Sequence, residues 1–113
     1  MIKEILTTAG VLHRQGRFTK PPAETYAVYF DDVDVDGADW VTPFTRAGLP
    51  RLYHHIIRVE VYEPTPDDDT EAAIEAELDA RGIPWSKRDR YWLQDVQRYQ
   101  VLYEFEITTK RRN

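Results

Sequence analysis

The chain has 113 residues, a common size for a single domain and enough to bury one modest core, so residues 1–113 are expected to form one domain. Hydrophobic residues make up 42% of it, with three Trp, seven Tyr and four Phe, which is too apolar and too aromatic for a disordered chain. The net charge of -5 argues against general nucleic-acid affinity, because such binding needs cationic side chains that displace counterions from phosphates.

Cysteine is absent, which excludes a disulfide framework, thiolate metal sites and a cysteine nucleophile. No apolar run reaches the roughly 20 residues that a membrane-spanning helix needs. Residues 1–10 also lack the basic start and long apolar centre of a signal peptide. The composition therefore predicts a cytosolic-type protein with no membrane partner.

The first half of the chain predicts a helix followed by strands. Ile2, Ile5 and Leu6 stand at helical spacing over residues 1–8, and residues 11–14 can begin a first strand. Residues 24–30 alternate in the manner of a strand. Residues 31–50 are acidic at first and then rich in Gly and Pro, which predicts a long loop or an extended hairpin tip.

Residues 52–62 are the next predicted strand. The face assigned to the core is Tyr53, His55, Ile57, Val59 and Val61.

A helix is predicted from Asp69 or Thr70 to about Arg81, because Asp68 and Glu71 form a plausible capping box before it. Its acidic residues Glu71, Glu75 and Asp79 lie at i, i+4 spacing.

The last third of the chain adds further strands. Residues 85–90 can form a short strand, residues 91–96 fit either a strand or a turn, and residues 98–108 alternate clearly. The predicted order is α-β-β-β-α-β-β. This order indicates an α+β fold, in which two helices pack on a mainly antiparallel sheet of four to five strands.

An acidic stretch resembles the first half of a calcium-binding loop. Asp32, Asp34, Asp36 and Gly37 match its alternating oxygens and glycine turn, but the twelfth position is Pro43, where a bidentate Glu is needed. A solvated hairpin tip is the favoured interpretation, and a metal-binding enzyme that uses residues 31–39 is kept as a lesser alternative.

Other chemistry-bearing residues do not converge. His54 and His55 are adjacent on a strand, so they point to opposite faces and cannot share one metal. Ser86 is the only serine and has no histidine nearby in the sequence. Residues 67–69 are explained by helix capping, and Glu104 with Glu106 by an outward strand face. We therefore expect no enzymatic activity, no cofactor and no metal.

Surface contacts are the remaining source of function. Seven Tyr are too many for one face of a small sheet, so some are expected at subunit contacts. Aromatic and Arg side chains dominate interface energetics, and the C-terminus is basic. The predicted interface residues are Trp40, Phe44, Arg46, Arg51, Lys110, Arg111 and Arg112.

The ordered pattern of aromatic strands resembles the small tail-terminator, or tail-completion, proteins of long-tailed bacteriophages. The segments that carry the resemblance are residues 25–30, 38–40, 58–62, 78–79, 83–87 and 99–107. Together they span nearly the whole chain. The acidic residues 31–36 and the stretch 43–50 depart from the family pattern.

The resemblance implies a non-enzymatic virion protein of the tail or neck, assembled in the host cytoplasm. Such a protein forms a ring, typically a hexamer, which caps the head-proximal end of the tail tube. Its partners would be further copies of itself, the major tail protein of the tube and a head-tail connector or stopper protein, with DNA only as passing cargo. The alternative is another neck component, such as a head-closure or connector subunit.

Overall fold

The structure is a computed structural model, which describes the backbone of residues 1–18, 20–35 and 50–112 and the side chains of residues 1–18, 20–33 and 53–109. It contains two helices and six strands in these residues. Their bounds, in chain order, are α1 Ile2–Ala9, β1 Leu12–Gln15, β2 Tyr26–Val35, β3 Pro50–Glu63, α2 Asp68–Ala80, β4 Trp85–Lys87, β5 Tyr91–Leu93 and β6 Arg98–Arg112.

Helix α1 forms where the sequence predicted it. Its apolar residues Ile2, Ile5 and Leu6 are buried. The helix ends because Gly10 adopts a φ of 77°, a left-handed conformation that glycine accepts without steric cost. Among the described residues, neither helix is long and apolar enough to cross a membrane.

The strands form one mixed, mostly antiparallel sheet, which confirms the predicted α+β class. Its order is β1-β2-β3-β6-β4, and β5 also pairs with β6. Only the β1–β2 pair is parallel among the described strands. The sheet has six strands instead of four to five, because residues 91–93, which the sequence left open between strand and turn, pair with residues 98–100 as β5.

The central strands are longer than predicted. β2 continues through residues 31–35, paired with residues 53–57 of β3. Of the two structures that the sequence left open here, a long loop or an extended hairpin tip, residues 31–35 form the extended hairpin. Val33 and Val35 maintain the two-residue period there, with Asp residues between them. Residues 36–49, the rest of the predicted loop, lie outside the described residues.

The end of the chain is also a strand and not a tail. β6 continues from Thr108 to Arg112 because β3 already begins at Pro50. Residues 50–54 of β3 thus supply a partner for each of these five positions. The pairing of β3 with β6 thus runs from Pro50↔Arg112 to Glu63↔Tyr99.

Both helices pack on one face of the sheet. The strand residues of the core all lie on that face, as alternation along each strand requires. Val59, Val61, Val101 and Tyr103 are fully buried there, in contact with the apolar stripe of the helices. Of the predicted core face of β3, the three aliphatic residues are buried, whereas Tyr53 and His55 are partly exposed.

Three strands extend together beyond the ends of the shorter strands. We call this three-stranded region the arm, and it consists of residues 31–35 of β2, 50–57 of β3 and 106–112 of β6. β1 reaches only Tyr29 of β2, and β4 only Phe105 of β6, so neither extends along the arm.

Candidate functional site

The face of the sheet opposite the helices carries large aromatic side chains. Tyr26 and Val28 of β2 are buried on this face although no described helix covers it. Tyr26 stacks on Tyr62 of the neighbouring strand, with ring centroids 5.1 Å apart. Phe18, from the connector after β1, meets the Tyr26 ring edge-on at 5.3 Å. The connector therefore shields part of the face and leaves the rest open.

A groove of about 420 Å³ lies between the connector and the strands. Its walls are mainly apolar and aromatic, which is typical of sites that bind a ligand or a partner segment. The described lining residues are Gly16, Arg17, Phe18, Pro21, Tyr26, Val28, Phe30, Glu60, Tyr62 and Val96.

Polar groups border this groove. The Arg58 guanidinium lies 4.6 Å from the centroid of the Phe30 ring, and its Nε lies 3.6 Å from Oε2 of Glu60. The Tyr62 hydroxyl donates to Glu60 at 2.8 Å and accepts from the Gln100 amide at 3.0 Å. Burial and the Glu60 carboxylate raise the pKa of Tyr62 to about 12, so its hydroxyl stays protonated at neutral pH.

A second feature is a charged cluster where α2 begins. Glu63, at the end of β3, is fully buried, and Glu71 in α2 is 4% exposed. Arg90 contacts both carboxylates, with Nε 3.2 Å from Glu63 Oε1 and Nη2 2.6 Å from Glu71 Oε2. It also reaches Asp68 at 2.5 Å. One guanidinium thus connects the start of α2, the end of β3 and the segment before β5.

Lys87 and Tyr103 extend the cluster toward the middle of α2. Lys87 Nζ lies 2.8 Å from Glu71 Oε1 and 2.7 Å from Glu75 Oε2. The hydroxyl of Tyr103, a fully buried residue, donates to Glu75 at 2.6 Å. Burial and the Glu75 carboxylate raise the pKa of Tyr103 well above its ordinary value.

Glu63 is the carboxyl group of the cluster whose pKa is raised into the neutral range. Burial, followed by the neighbouring Glu71 carboxylate, raises the pKa of Glu63 to about 8. Its Oε1 accepts from Asp67 N–H at 3.1 Å, whereas its buried Oε2 has no donor among the described residues. Glu71 has the opposite behaviour, since its pKa is lowered by hydrogen bonds from Glu63, Lys87 and Arg90 that outweigh its burial.

Sequence reasoning missed this cluster. It described Glu71 only as part of an i, i+4 acidic row, and it placed Glu71 in a capping box with Asp68, which was wrong. The helix cap is Asp67, one residue earlier, whose carboxylate accepts from Thr70 N–H at 3.0 Å. Glu71 instead faces inward to the two cations that follow the helix. A sequence signal did exist, because Glu63 continues the inward alternation of β3 by two residues.

Only part of the candidate metal site lies among the described residues. Asp32 and Asp34 lie within the paired part of β2, and Asp36, Gly37 and Pro43 lie outside the described residues. Of the described residues, no group of three or more His, Asp or Glu could hold a metal ion.

The histidines lie on opposite faces, as predicted. His54 Nδ1 is 3.2 Å from Thr108 Oγ1 and 3.4 Å from Glu106 Oε1. His55 Nδ1 is 3.0 Å from Asp31 Oδ1 on the helix-bearing face. Both histidines thus connect strands within the arm.

The predicted interface residues fall in two groups. Trp40, Phe44 and Arg46 lie outside the described residues. Arg51 lies on β3 and the basic residues Lys110, Arg111 and Arg112 on β6, where Arg51 occupies the register position opposite Arg111. The structure therefore brings the cationic residues to one end of the arm. Their role in contacts stays a prediction.

The tyrosines are distributed over both faces. Tyr29 and Tyr103 are buried beneath the helices, Tyr26 is buried on the opposite face, and Tyr91 is 49% exposed. Three of the seven therefore have structural positions within the subunit.

Comparison with known proteins identifies a fold neighbour. No protein-family model matches the chain, and no curated protein matches it with statistical significance. Among solved structures, the chain is similar to one from the virion of a native gene transfer agent particle. The TM-score is 0.54 at 15% sequence identity, and the match covers 95% of this chain and 84% of the other. At this identity the likeness establishes a shared fold.

Proposed function

We propose that the chain is a structural, non-enzymatic subunit of a phage-like virion, and more specifically a tail terminator. Copies of the chain would form a ring, with a hexamer as the expected size, that caps the head-proximal end of a tail tube and joins it to a head connector. DNA would pass through the ring without being held by it.

The observation that carries this proposal is the fold likeness to a chain of a gene transfer agent virion, which covers almost the whole of both chains. The more specific assignment to the neck or tail rests in addition on the pattern of aromatic strands, which resembles that of tail terminators. The main segments are residues 25–30, 58–62 and 99–107. Neither observation alone reaches the specific role.

The surfaces fit an assembly subunit. A subunit of a ring must present two different and mutually complementary patches, because head-to-tail contacts close on themselves only in that way. The chain has an acidic region at residues 31–39 and a basic C-terminal end at residues 110–112. The open groove beside Tyr26 and Tyr62 is a further apolar surface that a neighbouring protein of the neck could cover.

A capping assay tests the proposed role. Purified chain is added to the major tail protein of the same particle during tube polymerisation, and tube length is measured by negative-stain microscopy. We expect the chain to bind at one end of the tube and to stop growth there. The matched control is the same chain added to tubes of an unrelated phage, which should continue to grow.

Other outcomes reassign or reject the role. Capture of the portal or adaptor protein, without any binding to the tube, would make the chain a head-closure or connector subunit. Binding to neither structure would remove the support for a neck function.

A further inference from the structure

The arm has an open edge on each side. Among the described residues, no strand pairs with the outer side of β2 over residues 31–35, since β1 stops at Tyr29. On the other side, no described strand pairs with the outer side of β6 over residues 106–112, since β4 covers residues 103–105 and β5 residues 98–100. Open strand edges present backbone donors and acceptors that can pair with another chain.

The two edges differ in charge. The β2 edge contains Asp31, Asp32 and Asp34 and no cation, whereas the β6 edge contains one acid, Glu106, and ends in three consecutive cations at residues 110–112. Two β2 edges would repel each other, as would two β6 edges, and the unlike edges attract. The charge pattern therefore selects head-to-tail pairing over a symmetric dimer.

Strand direction fits the same contact. β2 and β6 run in the same direction, since each is antiparallel to β3. Residues 31–35 lie level with residues 105–109, because both are paired with residues 53–57 of β3. A shift of four residues between the two copies would bring residues 32 and 34 opposite residues 110 and 112, which pairs the acidic edge with the basic one. A rotation about an axis along the strands preserves strand direction, so the β6 edge of one copy would meet the β2 edge of the next in a parallel pair.

From these observations we infer that a second copy of this chain pairs with the arm, so that β6 residues 106–112 of one copy add in parallel to β2 residues 31–35 of the next. The inference rests on the proposed ring and names the contact that closes it. Repeated around the ring, three strands per copy would form one continuous sheet.

Engineered cysteines test this contact, because the natural chain has none. Val33 on β2 is 51% exposed, and Thr109 on β6 is also exposed. Within one chain, β3 lies between these positions and Thr109 is two residues further along, so they are about 12 Å apart, given strand spacings near 4.8 Å and a rise of about 3.3 Å per residue, which is too far for a disulfide. A disulfide between Val33→Cys and Thr109→Cys must therefore join two copies.

Register is counted from the residues that lie level within one chain. The pair Val33→Cys with Thr109→Cys tests a shift of two residues between neighbouring copies. Val33→Cys with Ile107→Cys tests a shift of zero, and Val33→Cys with Arg111→Cys a shift of four. After mild oxidation, we expect at least one pair to give a ladder of covalent oligomers on denaturing gels. The control is Leu12→Cys with Thr109→Cys, since Leu12 is 45% exposed but lies on β1, and it should give no ladder.

Oligomeric state is measured on the same samples by light scattering. If the protein forms rings but none of the three cysteine pairs gives covalent oligomers, the edge contact is wrong and the proposed ring still stands. A monomer at every concentration would overturn both the contact and the ring.

Charge reversal provides a second test with its own readout. The variant Asp32→Lys with Asp34→Lys has two basic edges, and the variant Lys110→Asp with Arg112→Asp has two acidic edges. We expect each to need at least about tenfold more protein to assemble than the natural chain at low salt, because like edges then meet. Mixed in equal amounts, they should assemble again in alternation. Failure of the mixture to recover assembly would contradict the contact.

Discussion

At the scale of single residues, the least expected feature is the buried carboxyl pair of Glu63 and Glu71. Two carboxyl groups stay buried together only if one is protonated or cations offset their charge, and here both conditions hold. Arg90 and Lys87 hold Glu71 ionised, and Glu63 keeps a proton that the unfolded chain would release at neutral pH.

This pair predicts a pH dependence of stability. Between the ordinary pKa of 4.5 and the raised value of about 8, the folded state binds a proton at Glu63 that the unfolded state has lost. The free energy of unfolding should therefore fall as pH rises through this window, by on the order of 1–3 kcal/mol between pH 5 and 8. Glu71 acts only at lower pH, because its lowered pKa contributes stability that is lost as pH falls below 4.5.

Urea unfolding of Glu63→Gln at pH 5, 6, 7 and 8 checks this. The variant should lose most of the decline seen in the natural chain, since Gln has no proton to release. Glu104→Gln, at an exposed position of β6, is the control and should keep the decline. If the free energy of unfolding falls equally steeply with pH in Glu63→Gln and in the natural chain, Glu63 is not the group that holds the additional proton in the folded state.

Asp67 is the second residue with a defined energetic role. Its carboxylate caps α2 and also accepts from Thr25 Oγ1 at 2.6 Å and Thr70 Oγ1 at 2.7 Å. We expect Asp67→Ala to lower the free energy of unfolding by about 1–2 kcal/mol. Denaturant midpoints measure this, with the exposed Asp69→Ala as control, which should change stability by less than about 0.5 kcal/mol.

At the scale of elements, the sequence predicted most of the frame. The helices, β3 and β6 follow from apolar periodicity, because their inward residues repeat at the helical or strand period over eight or more positions. β5 was ambiguous since a three-residue strand is too short to show a period. The sequence left residues 31–35 open between a loop and an extended hairpin because the Asp residues in them favour turns locally, and pairing with β3 overrides that preference.

The candidate site was less predictable, because it depends on contacts between distant elements. Nothing in the spacing of Glu63, Glu71 and Arg90 shows that a strand end, a helix and a connector meet. The groove beside Tyr26 likewise depends on Phe18 folding back over the sheet. By contrast, the opposite orientation of His54 and His55 followed directly from strand alternation.

Arg90 connects these elements, and its removal should loosen them. Arg90→Ala leaves the buried Glu71 with Lys87 as its one remaining cation among the described contacts, so we expect a loss of about 2–4 kcal/mol, at the lower end because Arg90 is partly exposed. Arg90→Lys is the control. It retains the positive charge but not the several N–H donors of the guanidinium, so it should recover part of the lost stability. Thermal unfolding measures both, and an unchanged midpoint for Arg90→Ala would contradict the role.

At the scale of the whole molecule, the chain combines a helix-covered face, an open aromatic face and an arm with edges of opposite charge. The open aromatic face is suited to contact with another protein, and the edges are suited to contact with a second copy. The fold is shared with a chain from the virion of a gene transfer agent particle. Self-association is thus the property on which the proposed function and the inferred edge contact both depend.

The most direct test is the mass of the purified chain in solution, measured by light scattering and mass photometry together with negative-stain images. The account predicts a closed ring with a central opening and a mass several times, with six expected, that of the 13.3 kDa chain. A strict monomer at every concentration, with or without tail-tube protein, would contradict it.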